Sequence, residues 1–551
     1  MSTPLSYKLS LFSKPLLSGE DFPLCLIGDS KITDSSTEAN LGFGIQRTWN
    51  VPAWSGRSIR THSGPPAWGG AVFFTATGGS IFSRNPAAAF GSGISGINPN
   101  IAAEKVYSAA NRTDGNDEWK ASIRDLNNYA SGNWTASNYV KARIVYYANS
   151  TGTSMRLVGR RERSEGSDLY NSDVDTATVI DFANNSGLSL PGPMQYAEAS
   201  CGNGSGNPSV SLRTAAGIDE SSKNFNIIGV RFYRTDAGGI YQPGFSIMDV
   251  AFGGGTTLTA LSNIGGGSSP NTDAAAAIKW FDLMGAPKYW LVEVGQNLTV
   301  TESTELAAGT KTEYKTNVSN IISRINTICA GYTSPTTPII LLVSPYKTGY
   351  SSTVSETRST ALYELAQENS NVCFIDGYQL MGNPGYSAFR LRMVPSSPNT
   401  NFMPPTGGTF TITYKANTTS GISWAATPAT VRSNLEGLAS IGNGNVSVLP
   451  YAGGYASGGG GNGSTIYFGD LLIIMQGTLA SDTTIPTVSG ASLTGAVGCS
   501  LGISAWNAWS DADGIHPSPH GAVLWAGKLW SIITGNYSGA SAGSPMKGIL
   551  S

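Results

Sequence analysis

Hydrophobic and polar positions change their period along the chain, and these changes predict where strands and helices lie. Between residues 139 and 233, short segments alternate apolar and polar residues and are separated by Gly, Asn and Ser. This alternation is typical of antiparallel strands joined by turns. The segments are residues 139–147, 154–160, 177–182 and 226–233. They predict a β-sandwich of the jelly-roll kind, which we place at residues 120–245.

A different pattern begins at residue 274. Short apolar runs alternate with stretches of helical period: the runs are residues 289–294, 338–343 and 371–376, and the helical stretches are residues 274–284, 311–330 and 355–369. Strands that alternate with helices form a parallel sheet with helices on both faces. The predicted fold class is therefore α/β, with a three-layer α/β/α domain.

A second interruption of the α/β pattern is predicted at residues 409–486. Residues 409–414 alternate as a strand does, and Thr427 followed by Pro428 predicts the start of a helix over residues 429–440. Apolar runs at residues 445–449 and 470–475 predict two later strands. These elements make a small α+β module inserted into the larger domain.

The candidate chemistry lies near the two ends of the chain. An apolar run at residues 22–27 stops at Gly28-Asp29-Ser30, which is the pattern of a buried strand that turns sharply into a helix. Near the other end, Asp513 precedes His516 by three residues, and an apolar helix follows. A serine becomes a nucleophile when a base takes its proton and a carboxylate orients that base. The two motifs predict a triad of Ser30, His516 and Asp513.

These motifs resemble the SGNH (GDSL-type) hydrolase superfamily, in which Gly-Asp-Ser follows the first strand and Asp-x-x-His precedes the last helix. Gly295-Gln296-Asn297 is similar to a third block of that family, Gly-x-Asn. The resemblance implies that the Asn297 side chain donates an N–H to the oxyanion. It also implies a glycine whose backbone N–H does the same, which we place at Gly254; Gly255 fits nearly as well, and Gly56 is a weaker rival.

Two positions depart from the family pattern. Lys31 stands where the first block usually continues with leucine, and Leu298 stands where the third block usually ends in aspartate. Neither position carries the chemistry that the resemblance implies.

The resemblance and the periodicities divide the chain into five segments. The first, residues 1–119, is an N-terminal segment with the first part of the SGNH catalytic domain. The inserted β-sandwich, residues 120–245, is a candidate for carbohydrate binding. The catalytic domain continues over residues 246–408, is interrupted by the α+β module at residues 409–486, and ends with residues 487–551, which contain Asp513 and His516.

The amino-acid composition limits the classes of partner and cofactor that we expect. The 551 residues have a formal net charge of −2, and 13% are charged, which argues against nucleic acid and anionic membrane surfaces as partners. The 68 glycines and 10% aromatic residues are typical of β-rich extracellular or virion proteins. The five cysteines include no C-x-x-C pair, although one disulfide with Cys201 or Cys499 stays open. No His, Cys, Asp or Glu grouping has metal-ligand spacing, so we expect no metal and no cofactor.

The resemblance implies a serine esterase, and the absence of an apolar lid from the sequence favours a short acyl group such as acetyl. We expect an acetylated polysaccharide as substrate. The first residues lack the features of a signal peptide. Together with the composition, this favours a phage tail protein, located in a virion or outside the cell, with other tail proteins as partners. The sequence is compatible with a homo-oligomer.

Three alternatives stay open at this stage. One is a secreted bacterial deacetylase, and another is a glycan O-acyltransferase with the same catalytic residues. The third is a non-catalytic receptor-binding or structural virion protein built on the same scaffold.

Overall fold

The structure is a computed structural model. It describes residues 5–18, 20–29, 32, 57–61, 80–84, 104–107, 117–125, 139–148, 154–162, 176–181, 194–203, 207–214, 224–251, 255–266, 274–345, 351–378, 387–395, 405–450, 471–475, 477–479, 482, 484–497, 499–507 and 519–533. The chain divides into two compact units. The first is drawn from residues 1–37, 41–381 and 525–551, and the second from residues 38–40 and 382–524.

The described helices are α1 (Leu5–Ser18), α2 (Thr257–Ser262), α3 (Ala274–Met284), α4 (Val300–Ala307), α5 (Thr312–Ala330), α6 (Ser352–Glu368), α7 (Pro428–Glu436) and α8 (Pro519–Ile533). The described strands of the first unit are β1 (Phe22–Gly28), β2 (Arg57–Thr61), β3 (Ser80–Arg84), β4 (Glu104–Tyr107), β5 (Asp117–Asp125), β6 (Tyr139–Ala148), β7 (Ser154–Glu162), β8 (Thr176–Asp181), β9 (Gln195–Ser200), β10 (Asn207–Thr214), β11 (Asn224–Thr235), β12 (Phe245–Asp249), β13 (Tyr289–Glu293), β14 (Ile339–Val343) and β15 (Val372–Ile375). Those of the second unit are β16 (Ser387–Pro395), β17 (Gly407–Tyr414), β18 (Asn417–Thr418), β19 (Ile422–Ser423), β20 (Val446–Pro450), β21 (Leu471–Met475), β22 (Thr487–Thr494) and β23 (Cys499–Asn507).

A parallel sheet forms the centre of the first unit. Its strands lie in the order β15-β14-β13-β1-β12, and each neighbouring pair is parallel. Every residue of β13 and β15 is buried, as expected for strands covered by helices on both faces. The sequence predicted this alternation of strands and helices over residues 274–376, and the structure confirms an α/β fold with a parallel sheet.

Helix α5 shows why these segments fold as they do. Its buried apolar residues recur every three or four positions, at Val318, Ile321, Ile325 and Ile328, so one face of the helix enters the core. That core also contains the indole of Trp290, which packs edge-on against Phe281 at 5.2 Å between ring centroids.

Beyond β12 the sheet continues, and its strands change from parallel to antiparallel pairing. Strand β3 pairs with β12 in parallel, and β11, β6 and β9 then add on as antiparallel strands, with β4 also paired to β11. A second sheet, β2-β5-β10-β7-β8, is antiparallel throughout. The four strands predicted between residues 139 and 233 are present as β6, β7, β8 and β11. Their grouping into a separate sandwich domain stays a prediction, as do the other sequence-derived domain boundaries.

Helix α1 packs at the amino-terminal end of the parallel strands. The ring of Phe12 lies edge-on to Phe22 at 5.3 Å and to Tyr289 at 5.8 Å, and these two rings stack on each other at 4.0 Å. The buried Lys8 ammonium donates hydrogen bonds to the carbonyl oxygens of Ala366 and Asn369, at the end of α6. Helix α1 is therefore part of the core.

The second unit contains two four-stranded sheets, β20-β21-β16-β23 and β18-β17-β19, with β22 paired to β17 in the latter. Helix α7 begins as the sequence predicts: the Thr427 side chain accepts a hydrogen bond from the Thr430 amide at 3.2 Å, and Pro428 occupies the first turn. The helix ends at Glu436, with Gly437 as its C-cap, rather than at residue 440.

All five cysteines are free thiols, and all but Cys499 are buried. The disulfide that the sequence left open at Cys201 or Cys499 is therefore absent.

Candidate active site

Two of the sequence motifs, Gly28-Asp29 and Gly295-Gln296-Asn297, lie at one edge of the parallel sheet. Strand β1 lies between β13 and β12, and its residues pair in parallel with both: Gly28 with Glu293, and Leu26 with Asp249. The residues that follow these strands, Asp29 after β1 and Asn297 after β13, therefore lie at the same carboxyl edge. The loop between β12 and α2, which contains Gly255, begins there too. This edge is where ligands bind in open α/β sheets.

The end of β1 requires glycine at position 28. A Cβ atom there would lie 2.5 Å from the carbonyl oxygen of Glu293 and would also collide with the Ile32 side chain. Asp29 is fully buried, and its carbonyl oxygen accepts a hydrogen bond from the Ile32 amide at 3.0 Å, which closes a turn. A turn therefore follows the strand directly, as predicted, and the helix predicted after it lies outside the described residues.

The loop after β13 is held by two buried side chains. Gly295 has a φ of 107°, a conformation that glycine adopts without strain. The Tyr314 hydroxyl donates a hydrogen bond of 2.8 Å to the carbonyl oxygen of Val294, and burial raises the pKa of Tyr314 above its ordinary value, which keeps that hydroxyl a donor. The guanidinium of Arg358 donates to the carbonyl oxygens of Gly295 and Pro345.

Asn297 has a buried hydrogen-bond donor without an acceptor. Its Nδ2 atom is shielded from solvent, and no described residue accepts a hydrogen bond from it. A buried donor left unpaired costs about 1–3 kcal/mol, so it marks a position where a bound water or ligand oxygen can serve as acceptor. This amide can supply an N–H to a bound oxygen atom, which is the role that the sequence resemblance implies.

Helix α4 follows this loop and begins with a capping box. The Thr299 side chain accepts from the Glu302 amide, and the Glu302 carboxylate accepts from the Thr299 amide. This helix was not predicted from the sequence, although Thr299-x-x-Glu302 is the usual signal for such a start. Sequence reasoning also missed Tyr314 and Arg358, because no local pattern marks a side chain that supports a distant loop.

Four predicted site residues, Ser30, Gly254, Asp513 and His516, lie outside the described part of the chain, as does Gly56. The triad and the choice of Gly254 stay predictions. The alternative glycine, Gly255, is described and buried, and it directly precedes Thr256, the N-cap of α2.

The described segments contain neither a metal site nor a membrane span. Within them, no group of three or more His, Cys, Asp or Glu side chains could hold a metal ion. None of the helices in these segments is long and apolar enough to cross a membrane.

No protein-family model matches the chain, and no curated protein matches it. Several solved structures align with it. A family two carbohydrate esterase from Clostridium thermocellum, in complex with cellohexaose, is 10% identical over 54% of this chain and 88% of its own, with a TM-score of 0.19. A family two carbohydrate esterase from Cellvibrio japonicus is 9% identical over 58% and 89%, with a TM-score of 0.17. An acetyl xylan esterase from the rumen bacterium Butyrivibrio proteoclasticus is 9% identical over 54% and 89%, with a TM-score of 0.18. TM-scores this low carry no argument about fold or function.

Proposed function

We propose that this protein is a serine esterase that removes short acyl groups, acetyl above all, from a carbohydrate. The observation that carries the proposal is the buried, unpaired amide donor of Asn297. It follows β13, beside the end of β1, where the chain continues with Asp29 and Ser30. An oriented donor next to a nucleophilic serine is the arrangement that stabilises a tetrahedral oxyanion.

In the proposed reaction, the Ser30 hydroxyl attacks the ester carbonyl carbon while His516 takes its proton. Asp513 orients the imidazole and stabilises the imidazolium that forms. The side-chain N–H of Asn297 and the backbone N–H groups of Ser30 and Gly254 stabilise the oxyanion. His516 then gives its proton to the departing sugar hydroxyl. Water attacks the acyl-enzyme with His516 again as base, and the acyl group leaves as a carboxylic acid.

The choice of substrate rests on the sequence. No apolar lid or acyl tunnel is predicted, and strand-rich segments accompany the α/β domain, which suits a large glycan better than a lipid. We therefore propose an acetylated polysaccharide as substrate. A position in a phage tail or outside the cell belongs to the same proposal, and it rests on the composition alone.

The test is ester hydrolysis by the purified chain. We expect turnover of p-nitrophenyl acetate to exceed that of the butyrate and octanoate esters, and to be lost in Ser30→Ala. Acetate release from acetylated polysaccharides, measured with the same pair of proteins, then identifies the natural class of substrate. A preference for octanoate would contradict the deacetylase, and no hydrolysis of any ester by the folded wild-type protein would contradict the esterase.

A further inference from the structure

The Glu302 carboxylate joins the starts of two helices, α2 after Gly255 and α4 after Asn297. Glu302 is fully buried at the start of α4. Its Oε2 atom accepts a hydrogen bond of 2.8 Å from the Thr299 amide, which lies two residues after Asn297. Its Oε1 atom accepts a hydrogen bond of 2.5 Å from the Thr257 hydroxyl, at the start of α2. One side chain therefore contacts the segments that follow β13 and β12.

A third residue fixes the carboxylate in place. Asn317, on α5, is 5% exposed and donates its amide to Glu302 Oε1 at 2.9 Å. The same amide lies 3.4 Å from the Thr257 hydroxyl oxygen. Because all three side chains are buried, these hydrogen bonds are shielded from water, which makes each of them stronger than it would be at the surface.

This arrangement exceeds what capping requires. The capping box between Thr299 and Glu302 is complete without Thr257, since it satisfies the amides at the start of α4 by itself. The additional bond runs from α4 to Thr257, two residues after Gly255 and three after Gly254. It links the start of α2, directly after Gly255 and Thr256, to the loop of Asn297.

We infer that Glu302 is a positioning residue for the oxyanion site: through Thr257 and Thr299, its carboxylate fixes the start of α2, two residues after Gly255, relative to the amide of Asn297. This inference rests on the proposed esterase function. Oxyanion donors act because their geometry is set before the reaction, so a small displacement of one donor costs turnover rather than substrate binding. Glu302 itself is too buried to contact substrate.

The sharpest variant is Thr257→Val, which removes the hydroxyl at nearly constant volume and keeps the capping box. Thr304→Val is its matched control, because the Thr304 hydroxyl bonds only to the carbonyl of Val300 within α4 and is exposed. We expect Thr257→Val to lower kcat for p-nitrophenyl acetate about tenfold with little change in KM, and Thr304→Val to leave both unchanged.

A double-mutant cycle with Asn297→Ala separates positioning from a general loss of stability. In Asn297→Ala, one of the two donors that the Thr257–Glu302 hydrogen bond aligns is already absent. Adding Thr257→Val should then lower kcat about twofold or less, because the effects of coupled residues are not additive. Full additivity, or an unchanged kcat in Thr257→Val with only a lower melting temperature, would overturn the inference while leaving the esterase intact. No ester hydrolysis by the wild-type protein would instead remove the proposed function, and the inference with it.

Discussion

The guanidinium of Arg358 donates a hydrogen bond to the carbonyl oxygen of Gly295, two residues before Asn297. Arg358 is 1% exposed and lies on α6, so a helix far along the chain fixes the turn that follows β13. The Tyr314 hydroxyl binds the neighbouring carbonyl of Val294 from α5. The Asn297 loop is therefore supported from two helices, which explains how its amide can stay in place without an acceptor of its own.

Gly295→Ala should damage this loop. The φ of 107° disfavours any side chain, and the new Cβ atom would lie 2.9 Å from Tyr314 Cε2 and 3.0 Å from Arg358 Cδ. We expect a loss of about 1–3 kcal/mol in the free energy of unfolding, with a fall in kcat. Gly309→Ala is the matched control, because its φ is 77° but nothing lies within 4 Å of the new Cβ atom, so about 1 kcal/mol is expected there. Equal losses in denaturant titrations of the two variants would contradict the close contact.

Asn297→Ala should lower activity without lowering stability. Loss of one oxyanion donor typically lowers kcat by ~10²–10³, and we expect that loss with KM nearly unchanged. Because the Nδ2 atom is buried without a partner, its removal should leave the melting temperature unchanged or slightly higher. Asn320→Ala, at an exposed position of α5, controls for the substitution itself. A large fall in melting temperature with normal kcat would show that Asn297 is structural.

The sequence predicted the elements of the parallel sheet better than their connections. The apolar runs that became β13, β14 and β15 stood out because strands buried on both faces are continuously apolar. The turn after Gly28 was likewise predictable from its local pattern. The antiparallel extension of the same sheet was not, because the pairing of β3 with β11 joins residues far apart in sequence and leaves no local period.

Some residues of the candidate site could likewise be predicted from the sequence, and others could not. Asn297 could be found because a short motif follows a recognisable strand. Arg358 and the bond between Thr257 and Glu302 could not, since each depends on which buried side chains the fold brings together. Sequence motifs thus identify the groups proposed to react, whereas their supports become visible only in three dimensions.

The amino-terminal helix should contribute strongly to stability. Phe12 is fully buried and packs edge-on against the stacked rings of Phe22 and Tyr289, so Phe12→Ala should lower the free energy of unfolding by about 3–5 kcal/mol. Tyr7→Ala, on the same helix, is the control, because Tyr7 is 56% exposed and the change should stay within about 0.5 kcal/mol. Urea titrations that give similar values for both variants would contradict the packing of α1 in the core.

Because the thiols of Cys329 and Cys373 are buried, we expect the free energy of unfolding to fall at alkaline pH. Burial raises the pKa of Cys329 to about 11 and that of Cys373 to about 12, both above the value of an exposed thiol. The contribution of these thiols to the free energy of unfolding is fully present below the unfolded pKa of about 9. It is lost as the pH rises toward the folded pKa values, by about 1.4 kcal/mol per pH unit for each thiol. Urea titrations between pH 8 and pH 11 should show a shallower decline for Cys329→Ala than for wild type. A decline of equal slope in both would contradict the raised pKa.

Ser30 is the proposed nucleophile, and covalent labelling can identify the serine that reacts. An alkyl fluorophosphonate reacts with a serine that a neighbouring base has activated, and mass spectrometry locates the adduct. We expect one adduct per chain, on Ser30, that disappears in His516→Ala while the variant remains folded. Absence of labelling in the folded wild-type protein, or an adduct on another serine that persists in His516→Ala, would contradict it.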